Sequence, residues 1–200
     1  APFNFPFMVP LWFLPYALAT GNTYVVKPSS EVPLSMDKFA ELLEEAGIPP
    51  GVCNFVHGGR DVVTALIKNR DIKGISFVGS TPVGRDIVYK EACATGKKVQ
   101  AQCGAKNFMI VMPDADLDNT VTSLMTSVFG NTGQRCLSGS NVVLIGDDDA
   151  FYSRSRDKIL NVSSKIRVGY GLDQSVQMGP IRSPEKKQKV MNYIEKGVNE

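Results

Sequence analysis

The segment Ile72-Lys-Gly-Ile-Ser-Phe-Val-Gly-Ser-Thr-Pro-Val-Gly84 decides the fold, because a strand-like run ends at Val78 and a turn of small residues then opens a helix. Backbone N–H groups and the positive end of a helix face such a turn, an arrangement that suits an anion such as a pyrophosphate. The turn Gly79-Ser-Thr-x-x-Gly84 lacks the complete Gly-x-Gly-x-x-Gly pattern. Taken alone, these residues favour an ordinary strand-to-helix turn over a phosphate site.

Strand-like apolar runs alternate with helical segments along the first half of the chain. The runs cover residues 23–26, 52–56, 72–78, 98–102 and 108–111. The segments between them space apolar residues as a helix does, and Gly47 with Pro49-Pro-Gly51 ends the helix that begins near Pro33. Continuous apolar strands separated by helices predict a parallel α/β sheet with helices on both faces.

A second α/β unit begins after Lys106. It reads as a strand, a capping segment at 114–118, a helix through Phe129, a loop around Cys136 and a strand at 141–145. We therefore place a domain boundary near Gly104, which gives residues 1–103 and 104–200.

Composition excludes several classes of protein. The 200 residues are 43% hydrophobic and 21% charged with a net charge of +2, which predicts a soluble globular protein without a nucleic-acid partner. Four widely spaced cysteines and one histidine fit no metal-site pattern and favour reduced thiols in the cytoplasm or mitochondrial matrix. The apolar segment 5–19 is short and broken by prolines, so we expect a buried, kinked helix and no membrane span. No secretory signal is visible, and the chain starts without Met.

Cys136 lies in the segment Phe129-Gly-Asn-Thr-Gly-Gln-Arg-Cys-Leu-Ser-Gly-Ser140, among small and flexible residues. The glycines let the backbone approach a ligand closely, and Arg135 beside the sulfur favours the thiolate, the form that attacks electrophilic carbon. An isolated cysteine is most often a small buried hydrophobe, but these neighbours favour a nucleophile.

Four ordered blocks resemble elements of the aldehyde dehydrogenase superfamily. They are Ala1-Pro-Phe-Asn-Phe-Pro6 (its Pro-Trp-Asn-Phe-Pro element), Val25-Val-Lys-Pro-Ser29 (its cofactor lysine), Phe77-Val-Gly-Ser-Thr-x-x-Gly84 (its nucleotide turn) and Phe129-Gly-x-x-Gly-Gln-Arg-Cys136 (its nucleophile). The resemblance covers the whole chain, and Gly104-Ala-Lys-Asn107 and Gln134-Arg-Cys136 are most similar to the methylmalonate-semialdehyde dehydrogenases, the CoA-acylating branch. It implies most of a parallel-sheet dinucleotide-binding domain in residues 1–103, the start of an α/β catalytic thiol domain in 104–200, and a homo-oligomer when full length.

The resemblance also implies a nucleotide site. Its positions are Ala1, Phe3, Lys27, Ser30, Gly79, Ser80 and Cys103. In the family the lysine bonds the adenosine ribose and the serine of the turn meets the pyrophosphate. Many members place a glutamate three residues after the lysine, where this chain has Ser30 followed by Glu31. NAD is therefore expected, with NADP as the alternative.

For the reaction, the resemblance implies that the Cys136 thiolate adds to an aldehyde and that Asn4 and the Cys136 N–H stabilise the oxyanion. Hydride then leaves for the nicotinamide, and an acyl-thioester remains on Cys136. Hydrolytic members carry a glutamate where this chain has Gln102, and an amide cannot take a proton from water. CoA is therefore the expected acceptor, although the acylating branch usually has Asn at this position.

The roles of two further residues, Arg135 and His57, are less narrowly predicted. Arg135 is either a thiolate stabiliser or, as the semialdehyde branch implies, the partner of a substrate carboxylate. His57 reads as a loop residue beside the nucleotide. The alternatives to a CoA-acylating semialdehyde dehydrogenase are a hydrolytic NAD(P)-dependent enzyme and a non-catalytic excerpt of one.

Overall fold

Six strands pair in parallel, two by two. In the computed structural model, which describes residues 1–200, the pairs are β1 (Tyr24–Val26) with β2 (Cys53–Phe55), β3 (Gly74–Val78) with β4 (Lys98–Gln102), and β5 (Asn107–Val111) with β6 (Gly139–Leu144). Parallel strands need crossover connections, and helices supply them. The prediction of a parallel α/β fold is confirmed.

The helices follow the sequence periodicity closely. They are α1 (Met8–Ala19), α2 (Leu34–Glu45), α3 (Arg60–Lys68), a π-helix (Pro82–Tyr89) that continues into α4 (Lys90–Ala94), α5 (Leu117–Phe129), a 3₁₀ turn (Gly130–Gly133), α6 (Asp149–Ser163) and α7 (Pro184–Asn199). Gly47 ends α2 in the left-handed region at φ +80°, where its N–H donates to the Glu44 carbonyl at 3.0 Å.

The chain divides into two units, Ala1–Gly104 and Ala105–Glu200. The first unit has a core of Ile67, Val88 and Ala92, packed between the strands and the helices that follow them. Lys97 is buried beside this core, and its Nζ donates to the carbonyls of Asn69 at 2.6 Å and Ile72 at 2.9 Å. This lysine therefore supplies a donor to two carbonyls of the loop that follows α3.

One expectation for the first unit is corrected, that of a buried first helix. Helix α1 is buried only on the face that carries Val9, Pro10 and Leu14, while Tyr16 is 76% exposed, because α1 packs against β1 from one side. Strands β1 and β3 are not hydrogen-bonded to each other, and both line a cavity of about 500 Å³ together with residues of α1 and α3.

In the second unit, α5 packs against the β5–β6 pair and against α6. The buried residues Val111, Val121, Leu124 and Phe151 form its core. The predicted capping segment is confirmed at Asp116, whose carboxylate accepts from the Asn119 N–H at 2.8 Å at the start of α5.

Candidate active site

The turn after β3 is held by the neighbouring strand. The Gly79 N–H donates to the carbonyl of Gln102, the last residue of β4, at 3.1 Å, and the Gly84 N–H donates to the Ser80 carbonyl at 2.9 Å. The Ser80 side chain is exposed. Residues 79–81 thus lead from a strand into a helix at the carboxyl edge of a parallel pair, where ligands of open α/β sheets bind.

Gly84 and Cys103 are in contact. A Cβ at Gly84 would clash with the Cys103 sulfur and lie 3.1 Å from the Phe77 ring, so only glycine lets the π-helix lie this close to the end of β4. A Cβ at Gly79 would lie 2.5 Å from the same ring. The two glycines of the predicted turn are therefore required by packing, as close approach of a helix to a strand requires.

Lys27 follows β1 at the carboxyl edge of the first pair. Its Nζ donates to the Pro28 carbonyl at 2.8 Å, and its own carbonyl accepts from the Ala1 nitrogen at 2.7 Å. Burial lowers the pKa of Lys27 below that of an ordinary lysine. Ala1 and Lys27 both line the cavity between β1 and β3, so the structure brings these two predicted site residues together.

Ser30 and His57 lie in loops near the same edge. Ser30 is exposed in the segment before α2, next to Ser29, whose hydroxyl accepts from the Glu31 N–H at 3.3 Å. The His57 Nε2 lies 2.8 Å from an Asp37 carboxylate oxygen in the first turn of α2. His57 is thus a loop residue as predicted, and sequence spacing did not identify its carboxylate partner.

The loop before Cys136 has an unusual backbone. Asn131 and Thr132 take φ +52° and +57°, and Gly133 takes φ +67°. The left-handed region is costly for residues other than glycine, most of all for a β-branched one. The Thr132 hydroxyl donates to the Gly179 carbonyl at 2.7 Å, so a distant segment of the same unit holds the strained turn.

Cys136 follows this turn as a half-buried free thiol. The Asn107 side-chain amide donates to the Cys136 carbonyl at 2.7 Å and to the Ser138 carbonyl at 3.0 Å. The Cys136 N–H donates to no group in the structure. Asn107 thus fixes the carbonyl of Cys136, while the N–H of Cys136 is available to donate to an oxyanion.

Asn107 was not among the predicted site residues. The sequence signal that could have identified Asn107 is a polar side chain at the start of the apolar run of β5. Two further hydrogen bonds tie the segment after Cys136 to α5. The Ser138 hydroxyl donates to the Ser127 carbonyl at 2.8 Å, and the Gly139 N–H donates to the Ser127 hydroxyl at 2.9 Å. Residues 136–139 are therefore anchored to both β5 and α5.

Arg135 folds back onto the end of α5. Its Nη1 donates to the Thr126 carbonyl at 3.4 Å, and its Nε is buried without a hydrogen-bond partner. The structure leaves both sequence interpretations of Arg135 as predictions.

The predicted residues fall in both units. Ala1, Phe3, Asn4, Lys27, Ser30, Gly79, Ser80, Gln102 and Cys103 belong to the first, and Arg135 and Cys136 to the second. The chain contains no cluster of three or more His, Cys, Asp or Glu side chains arranged for a metal ion. None of its helices combines the length and apolar character that crossing a bilayer requires.

Comparison with known proteins shows the family of this chain. The model of the aldehyde dehydrogenase family matches residues 1–200. The chain belongs to the aldehyde dehydrogenase family. A malonate-semialdehyde dehydrogenase of Geobacillus kaustophilus (strain HTA426) is 48% identical over 199 residues, which are 100% of this chain and 40% of the relative.

Two solved structures superpose on nearly the whole chain. One, described as a methylmalonate-semialdehyde dehydrogenase of Sinorhizobium meliloti 1021 in complex with NAD, is 40% identical with a TM-score of 0.94 over 99% of this chain and 40% of its own. An NADP-dependent enzyme of E. coli is 36% identical with a TM-score of 0.91 over 97% of this chain and 40% of its own. The chain thus spans about two fifths of the length of these relatives.

Proposed function

We propose that this chain carries the nucleotide-binding region and the nucleophile of a CoA-acylating semialdehyde dehydrogenase. Residues 1–103 are the larger part of the dinucleotide domain, and residues 104–200 begin the catalytic thiol domain. Cys136 carries the proposal, because its thiol follows a strained turn, its carbonyl is bound by Asn107 and its N–H is unbonded.

The nucleotide site fits a dinucleotide. The Gly79 N–H is engaged by the Gln102 carbonyl, so the Ser80 hydroxyl and the N–H groups of residues 80 and 81 are the donors for a pyrophosphate. Lys27 supplies a positive charge where β1 ends. The Sinorhizobium relative holds NAD, which supports NAD here, and Ser30 in place of an acidic residue leaves NADP as the weaker alternative. Phe3 and Cys103 are assigned to the same site by their positions in the family motifs.

In the first chemical step the Cys136 sulfur attacks the aldehyde carbon and the carbonyl oxygen becomes an oxyanion. The Cys136 N–H donates to that oxyanion, and the Asn4 amide is assigned as the second donor. One such donor is typically worth about 3–4 kcal/mol in the transition state. A bound NAD would supply the hydride acceptor. Once the substrate carbon has lost its hydride, the acyl group remains on Cys136 as a thioester.

The fate of the thioester depends on Gln102. This residue ends β4 and its carbonyl is engaged by Gly79, while its side chain is an amide that cannot act as a general base. Water is therefore a poor acceptor, and the thiol of CoA, a good nucleophile, releases the acyl group.

The substrate is a short aldehyde that carries a carboxylate. Two observations support this class: the names of the Geobacillus and Sinorhizobium relatives, and the position of Arg135 beside the nucleophile. A guanidinium pairs with a carboxylate through two parallel hydrogen bonds, and a malonate-type or methylmalonate-type semialdehyde presents one. The Geobacillus, Sinorhizobium and E. coli relatives are bacterial, which favours the cytoplasm over a mitochondrial matrix, and we expect a homo-oligomer.

The test is product identity. The protein is incubated with malonate semialdehyde, NAD and CoA, and the products are separated by mass spectrometry. We expect acyl-CoA that requires all three components and is lost in Cys136→Ser. Free acid formed at the same rate without CoA would favour the hydrolytic alternative, and no NADH under any condition would favour the non-catalytic one.

A further inference from the structure

The backbone conformation at residue 130 does not require a glycine. It follows α5 with φ −55° and ψ 128°, an extended conformation that any residue adopts without strain. The positive-φ residues of this loop are its neighbours at 131–133. The reason for glycine at this position must therefore be space around its α-carbon.

That space is filled by the Arg135 guanidinium. A Cβ at Gly130 would lie 2.7 Å from Nη1 of Arg135 and closer still to Cζ and Nη2. No carbon side chain tolerates such distances, so a residue larger than glycine would displace the guanidinium.

Little else fixes this guanidinium. Its one hydrogen bond, from Nη1 to the Thr126 carbonyl, is long at 3.4 Å, and Nε is buried without a partner. Nη2 donates to no group in the structure and is not buried. The space left by Gly130 thus admits a positive charge close to the nucleophile loop, with at least one of its donor groups unused.

We propose that Gly130 is a positioning residue, which seats the Arg135 guanidinium and thereby sets the preference for aldehydes that carry a carboxylate. The inference rests on the proposed function, because it assigns the guanidinium to the substrate carboxylate. It adds that specificity depends on the absence of a side chain at residue 130.

The experiment compares kcat/KM for malonate semialdehyde with kcat/KM for propanal, which lacks the carboxylate. Gly130→Ala should lower the ratio of the semialdehyde value to the propanal value about tenfold or more, chiefly because KM for the semialdehyde rises. Gly171→Ala is the matched control, because a Cβ at Gly171 meets nothing within 4 Å. An unchanged ratio in Gly130→Ala would overturn the proposal.

A double variant separates this inference from the proposed function. Arg135→Ala should lower the ratio, and adding Gly130→Ala should lower it no further because the displaced group is gone. If Arg135→Ala lowers the ratio and Gly130→Ala does not, the role of Gly130 is wrong and the function stands. If Arg135→Ala leaves the ratio unchanged, the carboxylate role of Arg135 is wrong, and the positioning role fails with it.

Stability measurements keep the test valid if Gly130→Ala folds poorly. The predicted clash is with the guanidinium alone, so Arg135→Ala should restore the urea midpoint of Gly130→Ala to that of Arg135→Ala. A double variant as unstable as Gly130→Ala would locate the clash elsewhere and overturn the proposal.

Discussion

Thr132→Val tests whether the strained turn before Cys136 is held by one hydrogen bond. Valine keeps the β-branched shape and the unfavourable φ of +57°, but it removes the hydroxyl that donates to the Gly179 carbonyl at 2.7 Å. A lost neutral hydrogen bond costs about 0.5–1.5 kcal/mol, and an acceptor left unsatisfied raises the cost to about 1–3 kcal/mol. Left-handed backbone at a residue other than glycine costs about 1–3 kcal/mol as well. The two energies are similar, so the turn should relax once the bond is removed.

Two measurements detect the relaxation of the turn. Urea unfolding should show a loss of about 1–3 kcal/mol in the free energy of unfolding. Alkylation by iodoacetamide, followed by peptide mass spectrometry, should label Cys136 faster than in the unmodified protein, with the exposed Cys93 as an internal reference. Thr132→Ser keeps the donor and should match the unmodified protein in Cys136 labelling. Equal stability and equal labelling in Thr132→Val would refute the role given to this bond.

Three further outcomes follow from single residues. Lys27→Ala should weaken NAD binding roughly tenfold or more, since a hydrogen bond from a charged group is worth about 1.5–3 kcal/mol. Calorimetric titration measures the Kd, with Lys38→Ala as the control. Equal Kd values for the two variants would remove Lys27 from the site. Lys97→Met should lower the free energy of unfolding by about 2–5 kcal/mol, because the Asn69 and Ile72 carbonyls lose their donor, whereas Lys98→Met at an exposed side chain should have little effect. Burial, with a smaller contribution from Cys53, raises the pKa of Tyr24 from 10.0 to about 12, so the folded protein keeps a proton that the unfolded chain loses. Stability should therefore fall as the pH rises from about 10 through 12, and urea titrations of Tyr24→Phe should show a smaller fall.

Local signals in the sequence predicted the elements well. The strand at 98–102 was predicted with its observed bounds, Lys98–Gln102, and helix α5 ends at Phe129 as predicted. Gly47 stops α2 because a left-handed residue is needed at that point. These features depend on residues a few positions apart, which a single sequence displays directly.

Contacts between distant residues were not predictable in the same way. The Asn107 amide reaches Cys136 across 29 residues, and the Lys97 ammonium reaches Asn69 across 28. No spacing rule connects such residues, because the pairing of strands brings them together. The sequence also predicted parallel strands without showing which of them are close enough to form hydrogen bonds, and β1 and β3 are not paired.

The central claim, that Cys136 holds an acyl group until CoA arrives, is tested most directly by a rapid-mixing measurement without CoA. Mixing the protein with NAD and malonate semialdehyde should give a burst of about one NADH per site. Digestion followed by peptide mass spectrometry should then find an acyl group on the peptide that contains Cys136. Adding CoA should restore steady turnover and remove the acyl group, and Gln102→Glu should raise turnover without CoA by supplying the missing base. Steady release of free acid without CoA, at the rate seen with CoA, would contradict the account.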